Sequence, residues 1–310
     1  MSIENKIYSE EQNIKDVKDV FTLLPQRYYG NENTLVVHDD CLNVLKGIKD
    51  NSIDLIFADP PYNIGKEFEK EIMKKEEYIK WCETWIDECM RILKRSGTFY
   101  LMAATQFMPY LDVYISSKYF VRARIIWYYD SSGVQAKRYF GSLYEPILMV
   151  VKDKSKYIFN SDEVMVDAKT GKQRKLIDYR GKIPKRYSTK KVMGNVWYIP
   201  RVRYKMPEYE NHPTQKPEKL LDIIVRASSK ENQIVLDPFA GSFTTCAVAN
   251  KLKRKCIGIE INEEYVKIGI RRLGISNVYN GEQLLKVKVK KTKNKSKKDH
   301  EHYSMLNSIL

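Results

Sequence analysis

Four consecutive residues, Asp59-Pro60-Pro61-Tyr62, close the apolar run Ile53-Asp54-Leu55-Ile56-Phe57-Ala58. Their types suit one kind of chemistry. A carboxylate and backbone carbonyls accept hydrogens from an amino group, and a tyrosine ring stacks on the flat ring that carries it. The two prolines have no N–H and hold φ at about −65°, so the turn keeps these groups in a fixed arrangement. Taken alone, the four residues suit a structural Asp-Pro turn beside a core strand equally well.

A second pattern points toward a nucleoside. The run Ile234-Val235-Leu236-Asp237-Pro238-Phe239-Ala240-Gly241-Ser242 leads into a glycine turn, and Glu260 follows Gly241 by nineteen residues, after a helical stretch and another apolar run. In such a unit the turn lets backbone approach the ligand, and the acid accepts from ribose hydroxyls. The turn reads Gly241-Ser242-Phe243-Thr244-Thr245, without G-x-G-x-x-G, and the chain has no P-loop. A nucleoside cofactor lacking a pyrophosphate, such as S-adenosyl-L-methionine, explains the ribose acid without the phosphate loop.

These residues need elements to position them. Ile14, Val17, Val20, Phe21 and Leu24 recur at helical spacing up to Pro25 and predict an amphipathic N-terminal helix. A strand Leu35–His38, a short helix with Leu42, Leu45 and Ile48 on one face, and the strand leading to Asp59 make a βαβ unit. After the charged segment Lys66 to Glu77, read as mobile, a helix with the stripe Tyr78, Trp81, Cys82, Trp85, Cys89, Ile92 and Leu93 is expected, capped by Gly97. Strands are predicted at Thr98–Ala103, Arg122–Tyr129 and Glu145–Val151, with a helix over Phe107–Ile115. Regular structure returns with a helix after Pro217, the strand to Asp237, a helix over Thr244–Leu252 and a strand Cys256–Ile259 ending at Glu260. Asn262 then caps a last helix carrying Glu263 and Glu264 in its first turn.

Composition narrows the partners. The 310 residues carry a net charge of +15 and 43% hydrophobic residues, enough for a large α/β core facing a polyanion. Between Lys169 and Lys205 stand thirteen Lys and Arg against one acid, Asp178, with Tyr179, Tyr187, Trp197, Tyr198 and Tyr204 interleaved. A solvated basic face is the plain alternative, but this mixture in an irregular stretch fits a nucleic-acid surface better. Eight lysines between Lys286 and Lys298 form a basic tail. The five cysteines include no C-x-x-C pair and the four histidines no metal-ligand pattern, so no metal is expected. With no membrane-length apolar run, the composition suits a soluble, cytoplasmic protein.

At this point the sequence resembles the β-group DNA amino-methyltransferases. The likeness rests on Asp59-Pro60-Pro61-Tyr62, His212-Pro213-Thr214-Gln215-Lys216-Pro217 and Asp237-Pro238-Phe239-Ala240-Gly241-Ser242. They stand in that group's order, with the basic insertion between them as its target-recognition region, and the likeness spans Asn33 to Leu273. It is nearest to the solitary adenine-N6 methyltransferases of bacterial genomes, including the stretch Asp130-Ser131-Ser132-Gly133-Val134-Gln135-Ala136-Lys137. The implied fold is a permuted, Rossmann-like methyltransferase sheet of the α/β class. Its strands one to four would be Ile234–Asp237, Cys256–Glu260, Leu35–Asp40 and Ile53–Asp59, the chain being opened between the second and third. The implied division is an N-terminal helical extension (1–33), a catalytic half (34–151), the recognition insertion (152–211), a cofactor half (212–280) and the tail (281–310).

The resemblance also implies roles. Asp59 and the Pro60 carbonyl would hold the target amine, and Tyr62 would stack on a base flipped from double-stranded DNA. Glu260 would bind the ribose of S-adenosyl-L-methionine and Asp40 its adenine amino group, a helix N-cap before Leu42 being the alternative for Asp40. Asp237, Pro238, Phe239, Gly241, Ser242 and Thr244, with Thr214 and Lys216, would surround the methionine end. Lys216 would pair with the carboxylate there, or else be a solvated lysine. Phe243 departs from the pattern, many relatives having a second glycine. Lys137, Arg138, Arg186, Arg201 and Arg203 would meet DNA. The implied target is a short palindrome, ATGCAT, which suits a homodimer or two monomer events, with or without a cognate restriction endonuclease. Asp at position 59, where N4-cytosine relatives often have Ser, favours adenine. The competing readings are an N4-cytosine or RNA adenine-N6 methyltransferase, and a non-catalytic DNA-binding protein on the same scaffold.

Overall fold

Short βα connections and β-branched strands dictate a parallel sheet, and that is the centre of the computed structural model. It describes residues 15–65, 72–130, 137–168, 177–179, 181–186, 188–280 and 283–285. In chain order the strands are β1 (Arg27–Gly30), β2 (Thr34–His38), β3 (Ile53–Ala58), β4 (Leu93–Met102), β5 (Phe120–Tyr128), β6 (Tyr144–Val151), β7 (Met165–Asp167), β8 (Ile177–Asp178), β9 (Lys185–Arg186), β10 (Lys190–Val192), β11 (Val196–Tyr198), β12 (Ile234–Asp237), β13 (Lys255–Glu260), β14 (Val278–Asn280) and β15 (Gln283–Leu285). The helices are α1 (Cys41–Lys46), α2 (Lys75–Ile92), α3 (Met108–Lys118), α4 (Glu218–Ser228), α5 (Thr244–Lys251) and α6 (Glu263–Arg272).

The main sheet runs β11-β5-β6-β4-β3-β12-β13-β2-β1-β14-β15. Its middle, β4-β3-β12-β13-β2, is parallel. Strand β12 therefore lies between β3 and β13, with β2 beyond β13, as the permuted order requires. One face packs on α1, α2 and α3 through Trp85, Phe99 and Ile56; the other packs on α4, α5 and α6 through Leu220, Ile224 and Val266. Strands buried on both faces explain why β3 and β12 read as almost unbroken apolar runs.

Several expectations change. The helix expected up to Leu24 is not formed over the described residues: Ile14 lies outside them, and Val17–Val20 form a single 3-10 turn capped by Asp16. The chain then bridges Phe21 to Ile48 and enters β1, which pairs with β2. The edge of β2 is open to a partner, and strand pairing there satisfies more backbone than an isolated helix would. Gly97 does not cap α2. That helix stops at Ile92, and Gly97 lies inside β4, where a Cβ would stand 2.8 Å from the Asp54 carbonyl oxygen. Lys75 to Glu77, expected in a mobile segment, form the first turn of α2. The insertion is not wholly apart from the sheet, since β11 pairs parallel with β5. Cys246 and Cys256, which form no C-x-x-C pair, are joined as a disulfide between α5 and β13. The basic tail lies outside the described residues except at β15.

Phe243 is the instructive departure. It sits just before α5 with φ 58°, in the left-handed region, which costs a non-glycine residue about 1–2 kcal/mol. Its ring is fully buried, and the space comes from two glycines. A Cβ on Gly258 would stand 2.7 Å from the ring and one on Gly269 2.5 Å from it. Phenylalanine here thus bolts β13 and α6 to the turn instead of obstructing the turn's outer side. Replacing Phe243 by Gly should remove the backbone strain but forfeit about 3–5 kcal/mol of packing. Urea unfolding should show a net loss of about 2 kcal/mol; an unchanged midpoint would mean that the ring does not hold these elements together.

Candidate active site

Parallel pairing puts the carboxyl ends of β3, β12, β13 and β2 side by side. At each of these ends stands an acid: Asp59, Asp237, Glu260 and Asp40 in sheet order. With strands about 4.8 Å apart, the row spans roughly 14 Å, the reach of a nucleoside joined to an amino acid. All four line one cavity of about 490 Å³, a size that suits a small-molecule cofactor. Among the described residues, its only basic lining residues are His212 and Lys216. Such a wall repels phosphates and favours cations, and S-adenosyl-L-methionine carries a sulfonium and an ammonium.

At the nucleoside end, Glu260 accepts from the Gly241 N–H and the Asn262 N–H, both at 2.8 Å. These bonds fix the carboxylate against the glycine turn, although burial raises its pKa. Gly241 has φ 49°, and a Cβ there would lie 2.8 Å from His212 Nε2. Only glycine therefore fits both the turn and the histidine across it. Asp40 caps α1, its Oδ1 accepting from the Leu42 N–H at 2.8 Å, so the cap is real while the residue also borders the cavity.

In the middle, Asp237 is buried and accepts from the Phe239 N–H and the Thr245 hydroxyl. Burial outweighs those bonds and pushes its pKa up to about 7. Phe239 packs against Trp81 and Trp85, with ring centroids 5.7 and 5.0 Å away, which firms one wall. Ser242, Thr244, Thr214 and Pro238 all reach the cavity, as expected of residues around a methionine end. Phe243 does not line it.

At the far end lies the proline turn. Tyr78 donates to the Pro61 carbonyl at 2.7 Å, and Asn63 pairs with both backbone groups of Met73. Lys216 lines the cavity and is not a solvated lysine. Its Nζ is 2.5 Å from Asp59 Oδ2 and 3.7 Å from Glu145 Oε2, and the residue is only 9% exposed. A buried ammonium requires partners, and two carboxylates supply them. Tyr62 donates to Glu145 at 2.6 Å, and Tyr129 does so at 3.1 Å. The single phenol proton of Tyr62 is thereby committed to Glu145. Among the described residues, Asp59 Oδ1 is buried without a hydrogen-bond partner.

Glu145 and Tyr129 were not anticipated as site residues. Glu145 left a faint signal as the one charge in Tyr144–Val151, beside Pro146 at the opening of an apolar strand. Arg201, expected on DNA, lies 5.2 Å from the Tyr129 ring and thus beside the pocket. Lys137, Arg138, Arg186 and Arg203 are exposed, Arg186 on the small β8–β9 ribbon. Within the stretch 131–136 nothing is described. Among the described residues there is no cluster able to hold a metal, and no helix is long and apolar enough to cross a membrane.

His212 yields a test of this geometry. Its ring packs 4.3 Å from that of Tyr265, and its Nδ1 accepts from the Thr214 N–H. Burial, helped by Lys216, lowers its pKa from 6.5 to about 4. Below pH 6.5 the unfolded chain binds a proton that folded His212 refuses, so this residue's contribution is present above 6.5 and drains away as pH falls toward 4. Buried Asp237 works in the opposite direction, so the comparison is between wild type and His212→Asn. Their urea-unfolding free energies should converge between about pH 6.5 and pH 4; a constant gap would show that His212 titrates normally.

A family model described as DNA methylase matches residues 53–271. The DNA adenine methyltransferase YhdJ of Escherichia coli (strain K12) is 56% identical over 272 residues, covering 87% of this chain and 92% of that protein. The type II methyltransferase M.HpaI of Haemophilus parainfluenzae is 34% identical, covering 79% and 75%. Among solved structures, the cytosine-N4-specific PvuII DNA methyltransferase superposes with a TM-score of 0.67 at 17% identity, covering 93% of this chain and 96% of that one. That last likeness concerns the fold alone.

Proposed function

The chain belongs to the DNA methylase family whose model matches residues 53–271, and we propose that this S-adenosyl-L-methionine-dependent DNA methyltransferase acts on N6 of an adenine flipped out of a duplex. The observation that carries the reading is the free Asp59 Oδ1 beside Tyr62. A buried acceptor with no partner is costly, and it fits a ligand that brings a donor. An exocyclic amine is such a donor. Tyr62, held by Glu145, stacks on the base that carries it. Asp59 and the Pro60 carbonyl take the two amine hydrogens, which turns the nitrogen lone pair out of ring conjugation toward the methyl group. S-adenosyl-L-methionine supplies that methyl as an electrophile. Glu260, Asp40 and the Gly241 turn orient it, so the main contribution of the chain is alignment.

Adenine is favoured over cytosine by the 56% identity to a protein named DNA adenine methyltransferase, together with Asp at position 59. Modification-sensitive sequencing of DNA from cells expressing the protein should show N6-methyladenine within one short motif. N4-methylcytosine in its place would overturn the base assignment. Asp59→Ala should bind both ligands yet lose ~10²–10³ in single-turnover methylation, the usual cost of one preorganised polar contact. Turnover within a few-fold of wild type would make Asp59 only a turn residue.

The exposed arginines of the insertion are assigned to the duplex. Arg186→Ala and Arg203→Ala should weaken duplex binding and leave cofactor affinity intact. A phosphate contact lowers the salt slope by about one, whereas a base contact relaxes one position of the motif at about 1–3 kcal/mol. Titrations across a salt series distinguish the two, and unchanged affinity in both variants would place the recognition surface elsewhere.

A further inference from the structure

Two carboxylates share one buried cation at the target end of the cavity. Lys216 touches Asp59 closely and Glu145 more loosely, at 2.5 and 3.7 Å. Glu145 also anchors the Tyr62 and Tyr129 hydroxyls, its side chain is only 15% exposed, and Arg201 stands near enough to favour its charge. We propose that Glu145 is a positioning residue that keeps Asp59 basic, by drawing part of the Lys216 charge away and by holding Lys216 once Asp59 has been protonated. The inference rests on the reading of Asp59 as the amine acceptor.

The proton balance shows why a second carboxylate is needed. The amine lone pair forms the N–CH3 bond while the electrons of the broken S–CH3 bond stay on sulfur. The nitrogen is then cationic and must lose one proton, whose N–H electrons remain on nitrogen. Asp59 Oδ1 takes that proton. If Lys216 had only Asp59, neutralising Asp59 would strand a buried ammonium, a strongly unfavourable state. Glu145 prevents this, because Lys216 can close on a carboxylate that stays charged.

The surrounding charges act in the required directions. Burial raises the Asp59 pKa, Lys216 lowers it and Glu145 raises it again. Tyr62 lies on the same turn, and Asp237 faces Asp59 from β12. Arg201 acts on Glu145 and Lys216, while His212 beside Lys216 stays neutral above about pH 4. Burial tends to discharge Lys216, but Asp59 and then Glu145 outweigh it and keep it charged.

The test is the pH dependence of single-turnover methylation by the full-length protein on a duplex carrying its own target. Glu145→Gln retains an oxygen for the two tyrosines but removes the charge. Without that like charge, Asp59 should become more acidic, and the acidic limb should move down by about one pH unit. The plateau should fall about tenfold as the more tightly paired Asp59 becomes a poorer base. Glu145→Asp should return the limb toward wild type, and cofactor affinity by calorimetry should hold in both. A folded Glu145→Gln whose limb stays in place or moves up overturns the proposal, since a merely structural residue would change rate or stability without moving it. If Glu145→Gln fails to bind cofactor, Lys216→Met decides. Removing the cation must move the limb up, and an unmoved limb again overturns the idea. An active Asp59→Ala would sink the amine-acceptor reading itself, whereas an inactive Asp59→Ala with an unmoved limb sinks only the role of Glu145.

Discussion

Everything in the site depends on the parallel pairing of four strands. In register, Leu236 faces Ile56, Asp237 faces Gly258 and Glu260 faces His38. Because parallel strands all end on one side, acids distant in sequence become a row along one edge. A one-residue slip in any pair would turn its acid toward the opposite face of the sheet. The uninterrupted burial of β3 and β12 guards against this, since both faces of each strand are committed to a core.

That row sets a charge problem, and the chain answers it locally. Glu260 is satisfied by backbone amides, Asp237 by a threonine and an amide, and Asp40 by the first turn of α1. Asp59 alone has a cation, and it shares that cation with Glu145. The four ends of one edge thus differ in chemistry although their residue types are nearly the same. Three carboxylates hold backbone in place and border the cavity, while the fourth has one oxygen without a hydrogen-bond partner among the described residues. The glycine turn shows the same economy: Gly241 yields room to His212, and Gly258 and Gly269 yield room to Phe243.

The basic insertion follows different rules. Its two small ribbons, β7 with β10 and β8 with β9, leave Lys185, Arg186, Lys190 and Lys191 exposed, which suits a polyanion rather than a core. It is nonetheless tied down. Asn160 donates to the carbonyls of Arg226 and Ser229 at the end of α4, and β11 carries Trp197 into the second core. Arg201, three residues beyond β11, lies against the Tyr129 ring and acts on Glu145. A few residues of chain therefore link the insertion to the cluster of Glu145, Lys216 and Asp59.

The permuted strand order followed from the family resemblance, while the amino-acid sequence by itself determined most strands and helices of residues 34–151 and 212–273 and the two turns that bear Asp59 and Gly241. These are local matters, legible because apolar period, proline and glycine act over a few residues. It could not show that Lys216 pairs with Asp59, that Glu145 joins them, or that Phe243 is received by two glycines on other elements. Neither could it show the 3-10 turn at Val17–Val20 where a helix was expected, the strand β1 after it, nor Gly97 inside a strand. Each of these depends on what lies opposite in space: a buried ammonium goes to the nearest carboxylates, a ring to the nearest vacancy, and an unpaired strand edge recruits backbone. Only tertiary packing decides those neighbours, because the pairs that matter are separated by tens to nearly two hundred residues of chain.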